Sequence, residues 1–205
     1  MLGLMMDDQL TITSLMHHAK SIYSDSTIVS ITHDHDRFRY TFRECFDRAA
    51  QLANAMKKLG VGEGEMLATL AWNDHRHMEV YYAACCAGNI CHTINPRLFP
   101  EQLTYIINHA EDKWVFVDPM FVPLLESMVD DISNVAGFIV LCDLDTMPET
   151  TLPNALCYEG LISAESSEFE WPDLDENTAC SLCYTSGTTG NPKGVLYSHR
   201  ALVLQ

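Results

Sequence analysis

The chain has 205 residues, of which 47% are hydrophobic, and its formal net charge is −16. This length and apolar content suffice for a sizeable buried core, so they exclude a disordered tail or a short peptide. The strong negative charge predicts a surface that repels nucleic acids and anionic lipids, and we expect no nucleic-acid partner.

The first residues, MLGLMMDDQL, have neither the basic start nor the long apolar run of a signal peptide. No window reaches about 18 uninterrupted apolar residues, so no integral membrane segment is predicted. We therefore expect a cytoplasmic protein. Eight cysteines lie within apolar segments, which predicts reduced, buried thiols. Cys180 and Cys183 form a CxxC pair, but no second pair completes a metal site.

The acidic residues are concentrated in one part of the chain. Residues 114–192 contain 14 acidic and no basic side chains, so Lys193 is the first cation after Lys113. Lys193 also lies inside a glycine-rich stretch. The charge map alone fits either a solvated acidic face with a chance lysine or a lysine placed to bind an anion.

Hydrophobic periodicity organises the first third of the chain. Helical spacing predicts a helix over residues 11–23, and short strands are predicted at 27–31 and 38–42. The pattern Thr41-x-x-Glu44 is a capping box, and the apolar stripe that follows it runs to Gly60. This predicts a long amphipathic helix.

From residue 66 onward, continuous apolar runs alternate with helical segments. Strands are predicted at 66–71, 90–94, 114–118 and 137–143, and helices at 75–87, 100–111 and 121–129. Buried strands that alternate with helices predict an α/β fold, with mostly parallel sheets flanked by helices.

Three regions are predicted along the chain. Residues 1–162 form an N-terminal α/β subdomain, the acidic and non-periodic segment 163–177 is a surface connection, and residues 178–205 begin a second subdomain. In the last region we expect a strand at 179–184, a glycine-rich loop, a strand at 195–198 and a helix that opens at Ser198.

The glycine-rich loop is the stretch YTSGTTGNPKGV, from Tyr184 to Val195. Glycines allow the backbone to approach a ligand closely, and successive amides in such turns form an anion site. The hydroxyl groups add neutral donors, one of which can ligate a hard cation such as Mg²⁺. Together with the charge of Lys193, this mixture suits a nucleoside triphosphate with its metal ion.

Two familiar phosphate motifs do not match this loop. The Walker A motif needs a Lys followed by Ser or Thr at the start of a helix, whereas Lys193 follows Pro192 and precedes Gly194 and a β-like run. The dinucleotide motif GxGxxG is also missing from it. The alternative is a plain hairpin loop, because Thr, Ser, Gly, Asn and Pro are ordinary turn residues.

The longer stretch YTSGTTGNPKGVLYSHR resembles the signature phosphate loop of the adenylate-forming (AMP-binding) superfamily, which includes acyl-CoA synthetases, firefly luciferases and peptide-synthetase adenylation domains. The segment LAWNDHRHMEVYYAACCAGNICHTINPRLFPEQLTYIINHAED is similar to the fatty-acyl-CoA ligase branch, particularly the medium-chain and methylmercaptopropionate CoA ligases. The resemblance implies an incomplete N-terminal domain of the adenylate-forming fold.

The resemblance implies ATP-dependent activation of a carboxylic acid, of fatty or short to medium chain length, to an acyl-adenylate and then to acyl-CoA. It implies ATP, Mg²⁺ and coenzyme A as cofactor and co-substrates, and a possible homodimer. Two alternatives stay open: a truncated, non-catalytic nucleotide-binding or oligomerising module, and the adenylation domain of another adenylate-forming enzyme.

The family pattern also implies site residues. The β- and γ-phosphates would be held by Thr185, Ser186, Gly187, Thr188, Thr189, Gly190 and Lys193. Thr185 or Thr188 would lie near Mg²⁺, and His199 either shapes the acyl pocket or packs at a helix start. Catalytic residues are expected downstream of Gln205, so Lys193 is not the family's catalytic lysine.

Four further residues are interpreted as structural. Asn73, His75 and His77 lie at a strand-to-helix turn, and Arg97 follows a strand where we expect it to brace the fold.

Overall fold

The computed structural model describes residue 5, residues 7–185 and residues 191–205. Its strands are β1 (Thr27–Ser30), β2 (Phe38–Thr41), β3 (Met66–Leu70), β4 (Ile90–Thr93), β5 (Trp114–Val117), β6 (Gly137–Val140), β7 (Ala155–Cys157), β8 (Ala179–Thr185) and β9 (Lys193–Ser198). Its helices are α1 (Ile12–Ile22), α2 (Phe42–Lys58), α3 (His75–Cys86), α4 (Pro100–Ala110), α5 (Val122–Glu126), α6 (Tyr158–Ile162) and α7 (His199–Val203).

Seven of these strands form one sheet, in the order β7-β6-β5-β3-β4-β8-β9. All neighbours in it are parallel except β8 and β9, which are antiparallel. Strands β1 and β2 form a separate antiparallel pair. The predicted fold class, mostly parallel sheet flanked by helices, is confirmed.

The sheet is covered on both faces, as the continuous apolar runs predicted. Successive residues of a strand point to opposite faces. Leu67 and Phe116 accordingly pack with α1, α2 and α3 on one face, whereas Ala68 and Val115 pack with α4 and α5 on the other. Each central strand therefore contributes to two cores.

Helix α2 begins and ends where the sequence signals placed it. The Thr41 hydroxyl accepts a hydrogen bond from the Glu44 backbone N–H, and the Glu44 carboxylate accepts one from the Thr41 N–H at 2.7 Å. The helix ends before Gly60, which has a φ of 80° that favours glycine. The capping box thus starts this helix as predicted.

Several bounds differ from the predictions. Strand β6 ends at Val140 rather than at residue 143, because the Cys142 N–H turns back to donate to the Val140 carbonyl. The helix predicted at 121–129 is shorter, since α5 ends at Glu126. Strand β7 and helix α6 were not predicted. With three and five residues, they are too short to show a period.

The acidic segment 163–177 leads back into the same sheet rather than into a separate one. Strand β8 pairs in parallel with β4, and Cys91 lies opposite Ser181. Beyond it β9 forms an edge of the described sheet, with Val195 and Leu196 exposed. The subdomain boundary at residues 163–177 stays a prediction.

All eight cysteines are free thiols, and six of them are buried, as predicted. Cys180 and Cys183 do not converge on one site. The Cys180 thiol contacts the Tyr197 carbonyl, whereas that of Cys183 contacts the Thr93 hydroxyl. Within the described ranges, no helix combines the length and apolar character needed to span a bilayer.

A buried arginine near the start of α3 connects distant parts of the chain. The Arg76 side chain is almost completely buried, and its guanidinium donates to Asp34, Asp143 and Glu159 and to the Leu141 carbonyl. These contacts occupy all five N–H donors of the group. Although burial alone raises the pKa of Asp34, hydrogen bonds from Arg76 and Thr32 hold it well below its usual range.

We expect Arg76→Ala to lower the free energy of unfolding by roughly 3–5 kcal/mol, because it leaves the buried Asp34 carboxylate without its guanidinium partner. Urea denaturation of the two proteins measures the difference. The matched control is Arg43→Ala, since Arg43 is 55% exposed and pairs with the exposed Asp25 at 3.5 Å. That control should cost less than about 1 kcal/mol. Equal effects of the two substitutions would contradict a structural role for the buried network.

Candidate functional site

The predicted phosphate loop connects the two antiparallel strands at one side of the sheet. Strand β8 ends at Thr185 and β9 begins at Lys193, so the strand-loop-strand arrangement is confirmed in the flanking residues. The predicted site residues Ser186, Gly187, Thr188, Thr189 and Gly190 lie outside the described residues.

Thr185 and Lys193 stand opposite each other where the loop begins and ends. Directly paired residues of antiparallel strands project to the same face, with their Cβ atoms about 5 Å apart. Both residues are exposed. A hydroxyl group and an ammonium group are therefore presented side by side at the base of the loop, where an anion with a hard cation can be reached by both.

Tyr184 attaches the first strand of the loop to helix α4. Its hydroxyl lies 2.6 Å from His109 Nδ1, and the His109 ring stacks on Tyr105. Gly194, the cross-strand partner of Tyr184, lies against the same tyrosine ring. A Cβ at position 194 would come within 3.1 Å of Tyr184 Cζ and of Leu182 Cδ1. A side chain at position 194 would therefore crowd Tyr184 and Leu182.

A buried acid-histidine pair lies next to this tyrosine. His92 Nδ1 is 2.8 Å from an Asp112 carboxylate oxygen, and both side chains are fully buried. The centroids of the His92 and Tyr184 rings are 5.1 Å apart. Burial raises the pKa of Asp112, and the contact with His92 opposes that rise. The sequence analysis missed this pair, although a histidine within the apolar strand ICHTI was a signal for it.

His199 is fully buried as the first residue of α7. Its Nδ1 accepts a hydrogen bond from the Ile12 N–H at 3.1 Å, so the neutral ring carries its proton on Nε2. The preceding Ser198 caps α7 by accepting from the Ala201 N–H. These contacts fasten α1 to the end of β9, and the role of His199 in an acyl pocket stays a prediction.

The turn after β3 is held by its own polar side chains. The Asp74 carboxylate caps α3 by accepting from the His77 N–H at 2.9 Å. His75 stacks on Phe38, and its Nδ1 lies 3.1 Å from the Ser30 hydroxyl. These contacts agree with a structural role for this turn.

Among residues 7–185 and 191–205, the Arg97 side chain has no hydrogen bond or ion pair that would brace the fold. The residue is exposed, and the contact described for it is a hydrogen bond from its backbone N–H to Asn95 Oδ1 at 3.0 Å. Asn95 therefore supplies the side chain that fixes this turn.

A groove of about 1140 Å³ opens between α1, α3 and the β1–β2 pair. Its walls are largely apolar, and Arg37, Arg39 and Asn73 add polar groups. Neither Thr185 nor Lys193 lines it. The groove and the base of the loop are therefore separate features of the described chain.

Asp34, His35 and Asp143 offer ligand atoms within 4.8 Å of one another. Both carboxylates already bind the guanidinium of Arg76, which compensates their charge. A cation at this position would have to compete with that arginine. Of the predicted magnesium contacts, Thr185 lies at the end of β8 and Thr188 lies outside the described residues.

The fold matches solved structures of acyl-CoA ligases. An anthranilate CoA ligase crystallised with anthranoyl-AMP superposes with a TM-score of 0.83 at 26% identity, over 95% of this chain and 36% of that one. The described fold is thus that of the N-terminal domain of adenylate-forming enzymes. The chain belongs to the AMP-binding enzyme family, whose model matches residues 17–205.

Similar proteins of known activity are ligases as well. The medium-chain-fatty-acid–CoA ligase of Ectopseudomonas oleovorans is 48% identical over 204 residues, which are 100% of this chain and 37% of that protein. The 3-methylmercaptopropionyl-CoA ligase of Ruegeria lacuscaerulensis is also 48% identical, with 100% and 38% covered. The chain thus spans little more than a third of the length of these relatives.

His75 should make the stability of the fold dependent on pH. Burial, and then the nearby guanidinium groups of Arg76 and Arg48, lower the pKa of His75 from 6.5 to about 3. The unfolded chain therefore binds a proton more readily than the folded one. Stability is fully present above pH 6.5 and is lost as the pH falls below it, by about 1.4 kcal/mol per unit until the pH approaches the folded pKa.

Between pH 7 and pH 5, the wild-type protein should consequently lose about 2 kcal/mol more stability than His75→Phe, which keeps the stacking on Phe38. Denaturant titrations at the two pH values measure this. His17→Gln, at an exposed position of α1, is the matched control. If His75→Phe and the wild type lost the same amount, His75 would not be a buried neutral side chain.

Proposed function

We propose that the protein to which this chain belongs activates a carboxylic acid with ATP and transfers it to coenzyme A. A carboxylate oxygen bonds to the α-phosphorus of ATP as pyrophosphate leaves, which gives an acyl-adenylate. The thiol of coenzyme A then loses its proton and bonds to the acyl carbon, and AMP leaves. Membership of the AMP-binding family and the ligase relatives support this reaction.

The observation that carries the proposal is the pairing of Thr185 with Lys193 at the base of the glycine loop. In the first step, negative charge must be held on the departing pyrophosphate, so the protein works mainly by electrostatic stabilisation. The exposed ammonium of Lys193 supplies one positive charge there. Ser186, Gly187, Thr188, Thr189 and Gly190 are proposed to add backbone and hydroxyl donors.

Magnesium fits the donor chemistry of this loop. Hydroxyl oxygens are hard ligands that suit Mg²⁺, which usually keeps several waters and binds substrate phosphates. Thr185 presents such an oxygen at the end of β8, and Thr188 is the second candidate. The bound cation would neutralise charge on the phosphates, while Thr185 and Lys193 orient them.

The substrate class is proposed from the relatives. A fatty or short to medium-chain acid is favoured because the relatives at 48% identity are named for medium-chain fatty acids and for methylmercaptopropionate. Assays of AMP release by the complete protein with propionate, methylmercaptopropionate and octanoate test this. If the protein released AMP with an amino acid but with none of these three acids, it would be a different adenylate-forming enzyme.

In the complete protein, Lys193→Ala should lower kcat/KM for ATP by roughly 10- to 100-fold, the value of a lost charge-assisted contact to phosphate. The KM for the acid should change little, and the melting temperature should stay the same because Lys193 is exposed. Lys57→Ala, at an exposed position of α2, is the control. Unchanged ATP kinetics in Lys193→Ala would remove this residue from the proposed site.

The 205-residue chain by itself should not exchange pyrophosphate into ATP in response to a carboxylate. It spans little more than a third of its ligase relatives, and the residues of the second half of the site are proposed to lie outside it. Radiolabelled pyrophosphate exchange by the chain and by the complete protein is the comparison. Comparable exchange by both would show that the chain contains a sufficient active site.

A further inference from the structure

Two thiols lie in contact where the neighbouring strands β6 and β7 end. The Cys142 and Cys157 sulfur atoms are 3.8 Å apart, and the Cys157 thiol also donates to the Cys142 carbonyl at 3.2 Å. Val140, not Cys142, is the Cα partner of Cys157. The tight turn in which the Cys142 N–H donates to the Val140 carbonyl brings Cys142 back beside the end of β7. Local backbone geometry therefore places the two sulfurs together.

The two chain segments that carry these thiols are both bound to Arg76. Asp143 directly follows Cys142, and its carboxylate binds the Arg76 guanidinium at 2.6 Å. Glu159 lies two residues after Cys157, and its carboxylate binds the same guanidinium at 3.0 Å. The two chain segments that carry the thiols are thus fixed to one buried cation. Little backbone freedom remains for the sulfurs to separate.

The two thiols differ in their exposure. Cys142 is buried, and burial, followed by the neighbouring Cys157, raises the pKa of its thiol above the ordinary range. Cys157 is half-buried, so a small solute can reach it. Buried cysteines are ordinarily inert because reagents do not reach them. A half-exposed thiol in contact with a buried one is instead the arrangement of a reacting and a resolving cysteine.

We propose that Cys142 and Cys157 form a modification site for oxidants of the peroxide class, at which a reversible intramolecular disulfide closes between the turn after β6 and the end of β7. In the first step the Cys157 sulfur bonds to one peroxide oxygen, the O–O bond breaks, and the other oxygen leaves as water with the proton of the Cys157 thiol. Cys157 is then a sulfenic acid.

In the second step the Cys142 sulfur bonds to the Cys157 sulfur. The S–O bond breaks, and the hydroxyl group leaves as water with the proton of the Cys142 thiol. Two thiols have then been oxidised by two electrons, and one peroxide has been reduced to two waters. For the bond to close, the sulfurs must approach from 3.8 Å to about 2.05 Å.

The test uses the complete protein, reduced, freed of reductant and treated with a few equivalents of hydrogen peroxide. Remaining thiols are alkylated, and the protein is digested without reduction by a protease that cuts after glutamate. Trypsin is unsuitable, because no Lys or Arg lies between Lys113 and Lys193. Cleavage after Glu126, Glu149 and Glu159 separates the two cysteines into different peptides.

We expect parallel loss of the free Cys142 and Cys157 thiols and the appearance of one linked pair of peptides that dithiothreitol separates again. Retention of both thiols, a sulfinic acid at Cys157 or a disulfide between two chains would overturn the proposal. None of these readouts needs enzymatic activity, so the result is independent of the proposed function.

Two variants sharpen the test. Cys142→Ala should stop the reaction at the Cys157 sulfenic acid, which dimedone traps. Cys183→Ser is the matched control, because Cys183 is also half-buried and its thiol contacts the Thr93 hydroxyl, which a serine can also bind. It should form the Cys142–Cys157 disulfide as the wild type does. Loss of the Cys142–Cys157 disulfide in the Cys183→Ser control would contradict the assigned pair. A disulfide between Cys157 and another cysteine in Cys142→Ala would contradict it as well.

Discussion

The buried guanidinium of Arg76 is the interaction on which most of the described fold depends. It joins the turn between β1 and β2, the end of β6 and helix α6, through carboxylates at positions 34, 143 and 159. Burying a charge is unfavourable unless every donor finds a partner and opposite charges surround it. Arg76 satisfies both conditions, and these three segments are consequently fixed relative to α3.

A second cation extends this network across the face of the sheet. Arg48, on α2, binds Glu79 at 2.9 Å and Glu159 at 2.7 Å, so Glu159 is shared by both arginines. The Tyr158 hydroxyl donates to the remaining oxygen of Glu79 at 2.7 Å. Because each acid bridges two elements, α2, α3 and α6 are positioned together. Apolar packing buries these three helices, and the ion pairs and hydrogen bonds of the network fix their positions relative to one another.

The sequence predicted those features that depend on neighbouring residues. The capping box of Thr41 and Glu44, the alternation of strands and helices, and the strand-loop-strand around Thr185 and Lys193 are all local patterns, and the structure confirms them. Contacts between distant residues were not predictable in this way. Asp143 and Glu159 belong to the acidic part of the chain, and their sequence neighbours do not distinguish them from solvated surface charges.

The candidate site likewise combines a local sequence pattern with contacts between distant residues. The composition of the glycine loop predicted a phosphate ligand, because glycines, hydroxyls and a lysine are adjacent in the sequence. The contacts beneath the loop join Tyr184 to His109 and His92 to Asp112. Tyr184 and His92 lie on strands β8 and β4, whereas His109 and Asp112 lie in and just after the last turn of α4. Only the sheet order β4-β8 brings the two strands together.

The two strands that flank the loop differ in how firmly they are held. Strand β8 has a partner on each side, whereas β9 is an edge of the described sheet with an exposed outer surface. Local opening costs less free energy where fewer buried contacts and shared hydrogen bonds must break. Strand β8, which ends at Thr185, is therefore the more rigid of the two. Strand β9, which begins at Lys193, opens at a lower cost in free energy. Amide hydrogen exchange along β9 should consequently be faster than along β8, so the lysine proposed to bind phosphate lies on the more mobile of the two strands.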